Sequence, residues 1–137
     1  MIIDATNLIL GRMASLAAQK AMLGETVDII NCGEAIISGR KEATMRDWIH
    51  KVQMGSSTRG PFFFRIPSLF VKRTVRGMIK YNSYHGKKAF KRIRCYKGIP
   101  DHLKGKEAIR PKECDMERLA THRFMKVKDV CKEIGGK

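Results

Sequence analysis

The middle of this sequence contains no acidic residue. Positions 56–98 hold no Asp or Glu, whereas the same segment holds twelve Lys or Arg. Charge that only keeps a protein soluble is normally mixed with charge of the opposite sign, because like charges repel one another and oppose compaction. The segment therefore indicates a polyanionic partner. It also lacks the carboxylates that hold a hard metal ion beside a bound substrate.

Other absences narrow the class of protein. No apolar run approaches the roughly 18 residues of a membrane-spanning helix, and Met1–Asp4 has neither the basic segment nor the apolar core of a secretory signal. The cysteines Cys32, Cys95, Cys114 and Cys131 form no C-x-x-C pair, which argues against a disulfide framework and a zinc site. We expect a soluble, cytoplasmic protein with reduced thiols.

Length and charge distribution predict a single domain, 1–137, with three parts. A chain of 137 residues with 43% hydrophobic residues fits one globular domain. Residues 1–55 hold six basic and six acidic residues, whereas residues 99–137 hold ten basic and seven acidic ones. The formal net charge of +15 therefore comes mainly from residues 56–98, which we expect to form the part that binds the polyanion. Residues 99–137 are expected to form a loop and a closing helix.

The neutral first part has the pattern of an α/β unit. A short strand at residues 2–4 is followed by a helix over residues 11–23, whose small apolar residues share one face. A second strand covers residues 26–31, a third short element covers 35–38, and an amphipathic helix covers 40–54. This alternation predicts a mostly parallel sheet covered by helices.

Two helices with a basic stripe are predicted in the middle part. In the first, from a Ser68 cap to about Tyr81, Lys72, Arg73, Arg76 and Lys80 share one arc. The adjacent arc contains Val71, Val75, Met78 and Ile79, which we expect in the core. A second helix from Gly86 repeats the design, with Lys87, Lys88, Lys91 and Arg92 on one arc and Ala89, Phe90 and Ile93 on the other.

A basic stripe with interleaved aromatic residues suits RNA. Cations neutralise phosphates and release counterions, while aromatic rings stack on unpaired bases. Eight of the ten aromatic residues lie between positions 56 and 98. Among them, Phe70 and Phe90 are better explained as core, and the run Phe62-Phe63-Phe64 is the candidate for stacking. The competing interpretation is a helix lying on an acidic membrane surface, but these apolar arcs have a sheet to cover.

Enzymatic alternatives have weaker support. Gly55 to Gly60 matches the first half of a P-loop, but Pro61 and Phe62 occupy the positions of the required Lys and Ser or Thr. A nuclease could use Asp4, Asp28 or Glu42 with a metal ion, although such carboxylates more often cap turns or pair with arginine.

A metal site can also be assembled on paper from Cys114, His122 and Cys131, but such ligand types occur by chance in any chain. None of the four histidines has an obvious Ser or Cys partner in the sequence. We expect neither a cofactor nor a catalytic activity.

Several ordered motifs resemble the universal ribosomal protein thirteen family of the large subunit. The most specific is VRGMIKYNSYHGKKAFKRIRCYKGIP at 75–100, preceded by DATNLILGRMAS at 4–15, INCGEAIISGRK and GPFFFRIPS. The resemblance runs from residue 2 to about 100 and is closest to the archaeal branch. Lys80 departs from it, because the family commonly has Pro there. Beyond residue 101 only RFMKVKDVCKEIG is similar, to the closing helix of the family.

The resemblance implies a three-layer α/β/α fold with a small, mostly parallel four-stranded sheet, plus basic RNA-facing helices and loops. It implies a non-catalytic, structural protein of the cytoplasmic ribosome that binds large-subunit rRNA early in assembly beside neighbouring ribosomal proteins. It implies that the protein binds neither a membrane nor a small-molecule substrate. It also implies that Gly77 allows either close packing or a close approach of the RNA. Together with the stripes, it predicts these RNA-binding residues: Arg12, Arg40, Lys41, Arg59, Arg65, Lys72, Arg73, Arg76, Lys80, Lys87, Lys88, Lys91, Arg92, Arg94 and Lys97.

Overall fold

The chain forms five α-helices and five short strands in the computed structural model, which describes residues 1–136. In chain order they are β1 (Ile2–Asp4), α1 (Leu10–Met22), β2 (Val27–Ile30), β3 (Ile36–Ser38), α2 (Lys41–Gln53), α3 (Pro67–Met78), α4 (Tyr84–Lys91), β4 (Ile93–Cys95), β5 (Phe124–Lys126) and α5 (Val127–Glu133). The α/β class predicted from the sequence is therefore confirmed.

The strands form two groups. β1, β2 and β4 make a parallel sheet in which β2 is central, with Ile29 opposite both Ile3 and Cys95. β3 and β5 make a separate antiparallel pair, with Ile37 opposite Met125. Isolated parallel bridges also join Ile3 to Ile109 and Ile9 to Ile36. The sheet is thus small and mostly parallel, but neither the expected four-strand count nor the three-layer arrangement is confirmed.

α1 begins and ends within one residue of its predicted bounds, because the apolar residues of this segment recur with a clear helical spacing. Its alanine-rich face is fully inside the protein, and the helix packs on α3 and α4 as well as on β2 and β3. Small side chains allow two helix backbones to approach closely. The buried residues of this face are Leu10, Met13, Ala14, Ala17, Ala18 and Ala21.

The predicted bounds of α3 are wrong at both ends. The helix begins at Pro67, with Ile66 at the capping position, and Ser68 makes no capping hydrogen bond. Proline suits the first helical position because its missing N–H has no partner there in any helix. At the other end, Ile79 is extended, with φ −105° and ψ 140°, so the helix stops at Met78. Lys80 consequently lies outside the helix on which the sequence placed it.

α4 also differs from its prediction. It begins at Tyr84 rather than Gly86, because the hydroxyl of Ser83 caps it by accepting a hydrogen bond from the Gly86 N–H at 3.0 Å. Gly86 is required for packing, since a Cβ at this position would lie 2.0 Å from the Lys80 carbonyl oxygen. The helix ends at Lys91, and Ile93 belongs to β4, where it is fully buried.

The last part contains both the closing helix expected from the sequence and a strand that was not expected. α5 accounts for the second half of the RFMKVKDVCKEIG motif, and β5 accounts for the first half. Glu34, after β2, accepts hydrogen bonds from Lys126 and Lys128, both at 2.7 Å. These contacts lower the pKa of Glu34 below its ordinary value and tie the two halves of the chain together.

We predict that Glu34→Gln lowers the free energy of unfolding by about 1 kcal/mol at pH 7, since both ion pairs are half-exposed and partly screened. Because the pKa of Glu34 is lowered in the folded state, its contribution is complete above about pH 5 and disappears as the pH falls through the folded-state pKa. Urea unfolding at pH 7 and at pH 3 measures both effects.

Glu107→Gln is the matched control, because Glu107 is exposed and takes part in no ion pair within residues 1–136. A Glu34→Gln protein as stable as the Glu107→Gln protein at pH 7 would contradict a stabilising role for the two ion pairs.

Candidate RNA interface

α3 separates a buried apolar face from an exposed basic one, as the sequence predicted. Val71 and Val75 have no solvent exposure, whereas Arg73 and Arg76 are exposed and Lys72 is half-buried. Beyond the end of α3, Ile79 is buried, with 6% exposure. The expectation for Met78 is wrong, because this side chain is 44% exposed.

Each cation of this face lies over an aromatic ring. The Lys72 Nζ is 5.2 Å from the centroid of Phe90, and the Arg76 Cζ is 4.1 Å from that of Tyr81. In such contacts the negative face of the ring orients the cation, but the positive charge of the cation is not neutralised. The stripe is therefore held in place without any carboxylate.

Arg73 fixes the phenylalanine run onto α3. Its Cζ lies 4.4 Å from the ring centroid of Phe63 and 6.0 Å from that of Phe64, and its Nη1 donates a hydrogen bond to the Phe62 carbonyl. Phe63 is half-buried and makes an edge contact with Trp48 at 5.9 Å between centroids. One guanidinium thus contacts all three residues of the run.

A cavity of about 440 Å³ lies beside these contacts. Phe62 and Phe64, which line it, are 66% and 48% exposed. The apolar lining is completed by Leu69 and Phe90, and the remaining lining residues are Lys72, Arg73 and Arg76. No acidic residue lines the cavity, which therefore combines open aromatic surface with positive charge.

On α4, the three lysines Lys87, Lys88 and Lys91 are exposed, in agreement with the predicted stripe. Arg92 differs from them, because it follows the helix, is half-buried and donates a hydrogen bond to the Ala21 carbonyl at 3.2 Å. A cation at the carboxyl end of a helix stabilises the helix dipole. Arg92 therefore has a structural role at the end of α1.

The remaining predicted residues are exposed but do not share this cavity. Arg40 and Lys41 line a separate groove of about 580 Å³ with Glu42, His122, Arg123 and Phe124. Arg12 donates a hydrogen bond to the Glu113 carbonyl at 3.3 Å and lines a third groove that also contains Arg118. Arg65 lies beside Gly135, where a Cβ would be 3.3 Å from its Nη1. The other exposed cations are Arg59, Lys80, Arg94 and Lys97.

Sequence reasoning missed Arg118, His122 and Arg123 as neighbours of predicted residues. They lie in the last part of the chain, where ten basic residues are mixed with seven acidic ones, so the small excess of positive charge does not mark them. The proximity of Arg123 to Arg40 depends on the pairing of β5 with β3, and β5 was not predicted. Apart from that missed strand, no sequence signal brought these residues together.

Asp4, one of the carboxylates considered for catalysis, has structural partners. Asp4 accepts hydrogen bonds from the Thr6 N–H, the Thr6 hydroxyl and the Asn31 amide at 3.1, 2.7 and 3.0 Å. Burial would raise the pKa of Asp4, but these hydrogen bonds and the charge of Arg110 bring the pKa below its ordinary value. Asp4 is therefore a fixed anion that holds the ends of β1 and β2 together.

Within residues 1–136, no three His, Cys, Asp or Glu side chains lie close enough to hold a metal ion. Over the same residues, no helix has both the length and the apolar character needed to cross a membrane.

Comparison with known proteins identifies the family. The model of the family described as ribosomal protein L13 matches residues 1–102, three quarters of the chain. The chain belongs to the ribosomal protein L13 family. It is 38% identical over 136 residues to the large ribosomal subunit protein uL13 of Methanopyrus kandleri, covering 98% of this chain and 86% of the relative.

Two further archaeal relatives carry the same name. The chain is 38% identical to uL13 of Methanococcoides burtonii, covering 99% of this chain and 98% of the relative, and 36% identical to uL13 of Methanosarcina barkeri over the same shares. The resemblance to the archaeal branch is thus confirmed. An L13 protein is a structural component of the cytoplasmic ribosome and not an enzyme.

We predict effects of very different size on stability for two adjacent substitutions at the end of α3. Ile79→Asp places a carboxylate in an apolar site and should lower the free energy of unfolding by more than about 4 kcal/mol. Met78→Asp changes an exposed residue and should cost less than about 1 kcal/mol. Thermal melts followed by circular dichroism compare the two variants with the unaltered protein. Similar melting temperatures for both variants would contradict the assignment of the buried face.

Proposed function

We propose that this L13 protein binds large-subunit rRNA through α3, α4 and the loop at residues 55–66, as a structural component that joins early in subunit assembly. The observation that carries the proposal is that the twelve cations in residues 56–98 form no ion pairs within residues 1–136. Within residues 1–136, the ion pairs involve Lys20, Lys104, Lys126 and Lys128, and none involves residues 56–98. Apart from Arg92, whose guanidinium donates a hydrogen bond to the Ala21 carbonyl, folding leaves these cations available to phosphate groups.

The names of the archaeal relatives support the choice of polyanion. Each is called a large ribosomal subunit protein. From that name we infer that the polyanion is the folded rRNA of this subunit and that other ribosomal proteins are neighbours. We infer that the predicted basic residues contact rRNA at several separate places, since they line distinct grooves. In this proposal, residues 1–137 act as one domain, with residues 56–98 as its main RNA-binding part.

Binding to a membrane surface is less well supported. A helix that binds a bilayer inserts its apolar face among the lipids. In α3 and α4 that face, with Val71, Val75 and Ala89, is already buried inside the protein. The same burial supports early assembly, because the basic helices have their core contacts without any partner and the protein can fold before it binds.

Affinity for rRNA should depend strongly on salt. If six to ten phosphates are neutralised, affinity should fall by about 10³- to 10⁵-fold between 50 and 200 mM salt, by the relation established for duplex nucleic acid. Filter binding with a large-subunit rRNA fragment measures the slope. The double variant Lys87→Ala/Lys88→Ala should retain the fold and show a slope smaller by about 2. A flat salt dependence of the unaltered protein would contradict the proposal.

Gly77 offers a test of close RNA approach to α3. A Cβ at this exposed position would meet no atom within 4 Å, so packing inside the protein does not explain the glycine. Alanine is the better helix former, and Gly77→Ala should raise the free energy of unfolding by about 0.5–1 kcal/mol. We nevertheless expect it to weaken rRNA binding, because the added methyl group separates the helix backbone from the RNA.

Met22→Ala, at the exposed end of α1, is the matched control for higher helix propensity, because Met22 lies outside the grooves that contain the predicted RNA-binding residues. It should leave rRNA affinity unchanged. If Gly77→Ala binds rRNA as tightly as Met22→Ala does, the RNA does not approach the backbone of α3 at this point.

A further inference from the structure

The cavity between α3, α4 and residues 62–64 has the composition of a stacking site. Phe62 and Phe64 expose about half or more of their surface at its lining, beside Leu69. Large apolar side chains are normally buried, so two exposed phenylalanines at one cavity indicate a ligand with a flat apolar face. The volume of about 440 Å³ lies within the range of about 300–1,000 Å³ of sites for small organic groups.

The aromatic surface is held in place before any ligand binds. Arg73 contacts the rings of Phe63 and Phe64 and donates a hydrogen bond to the Phe62 carbonyl, while Phe63 also packs on Trp48. A loop held at three consecutive residues loses little conformational freedom on binding, which favours affinity. In this arrangement Arg73 is a positioning residue for the two exposed rings.

The charge of the cavity selects an anionic ligand. Lys72 and Arg76 line it, no carboxylate does, and neither cation has an ion pair within residues 1–136. A flat apolar group joined to a phosphate is the structure of a nucleotide. A protein segment of matching chemistry would have to carry both an aromatic residue and closely spaced acidic ones.

We propose that this cavity holds one unpaired base of an RNA strand, stacked on Phe62 or Phe64, with the adjoining phosphates on Lys72 and Arg76. The inference rests on the proposed function, which supplies RNA as the ligand, and adds to it a site for a base that is not paired. Stacking on a ring tolerates any base, because every base has a π-face. The site therefore selects unpaired over paired RNA and is indifferent to sequence.

The test uses a ten-nucleotide single-stranded RNA with 2-aminopurine at its centre, whose fluorescence falls when the base stacks. The double variant Phe62→Leu/Phe64→Leu removes the rings but keeps apolar side chains. We expect it to melt like the unaltered protein, to bind the strand about 5- to 150-fold more weakly and to lose the quenching. Tyr84→Leu is the matched control, because Tyr84 is 74% exposed on α4 and does not line the cavity.

Any one of the following outcomes would overturn the inference. The unaltered protein could bind the strand without quenching, the double variant could bind and quench like the unaltered protein, or Tyr84→Leu could lose as much affinity as the double variant. If the double variant keeps all RNA binding but is no longer incorporated into large subunits, the cavity binds a neighbouring protein instead of a base.

The large-subunit rRNA fragment is titrated in parallel. If the unaltered protein binds the fragment with a steep salt dependence but does not quench the probe, the cavity assignment fails and the proposed function stands. If it does not bind the fragment, the proposed function itself fails.

Discussion

The packing of α3 on α1 is the contact on which the basic surface depends. α1 presents a face of alanines, which lets α3 come close and bury Val71 and Val75 completely. Because a helix has a fixed periodicity, burying one face of α3 fixes Lys72, Arg73 and Arg76 on the other. Like charges that would otherwise disperse are therefore held side by side, and hydrophobic burial offsets their mutual repulsion.

Aromatic rings take the place that carboxylates hold on most protein surfaces. An ion pair would orient these cations but would also neutralise them, leaving less charge for a polyanion. A ring orients the cation through its quadrupole and keeps the positive charge. Four of the eight aromatic residues in the segment without acidic residues make such contacts, namely Phe63, Phe64, Tyr81 and Phe90. The carboxylates found elsewhere, such as Glu34 and Asp4, instead join distant parts of the chain.

The surface as a whole is divided among several grooves. Three grooves share no lining residue: one contains Arg40 and Arg123, a second contains Arg12 and Arg118, and the third is the cavity beside Phe62 and Phe64. Such a distribution suits a partner that folds around the protein more than one that occupies a single cleft. It also suits a structural protein of the ribosome, whose contribution lies in the number and spacing of its contacts.

The sequence by itself determined the class of fold, the amphipathic faces of α1 and α3 and the location of the uncompensated charge. These follow from periodicity and composition, which are properties of neighbouring residues. Only the tertiary structure decided the rest. Ser83 caps α4 where the sequence favoured a start at Gly86, Met78 is exposed because α3 ends there, and β5 pairs with β3 to bring Arg123 to Arg40. Arg92 contacts Ala21 across 71 positions, so no local pattern could show that its charge is used inside the fold. Helix ends, strand pairing and the partners of long side chains depend on contacts between residues far apart in the chain, and local sequence patterns carry little information about them.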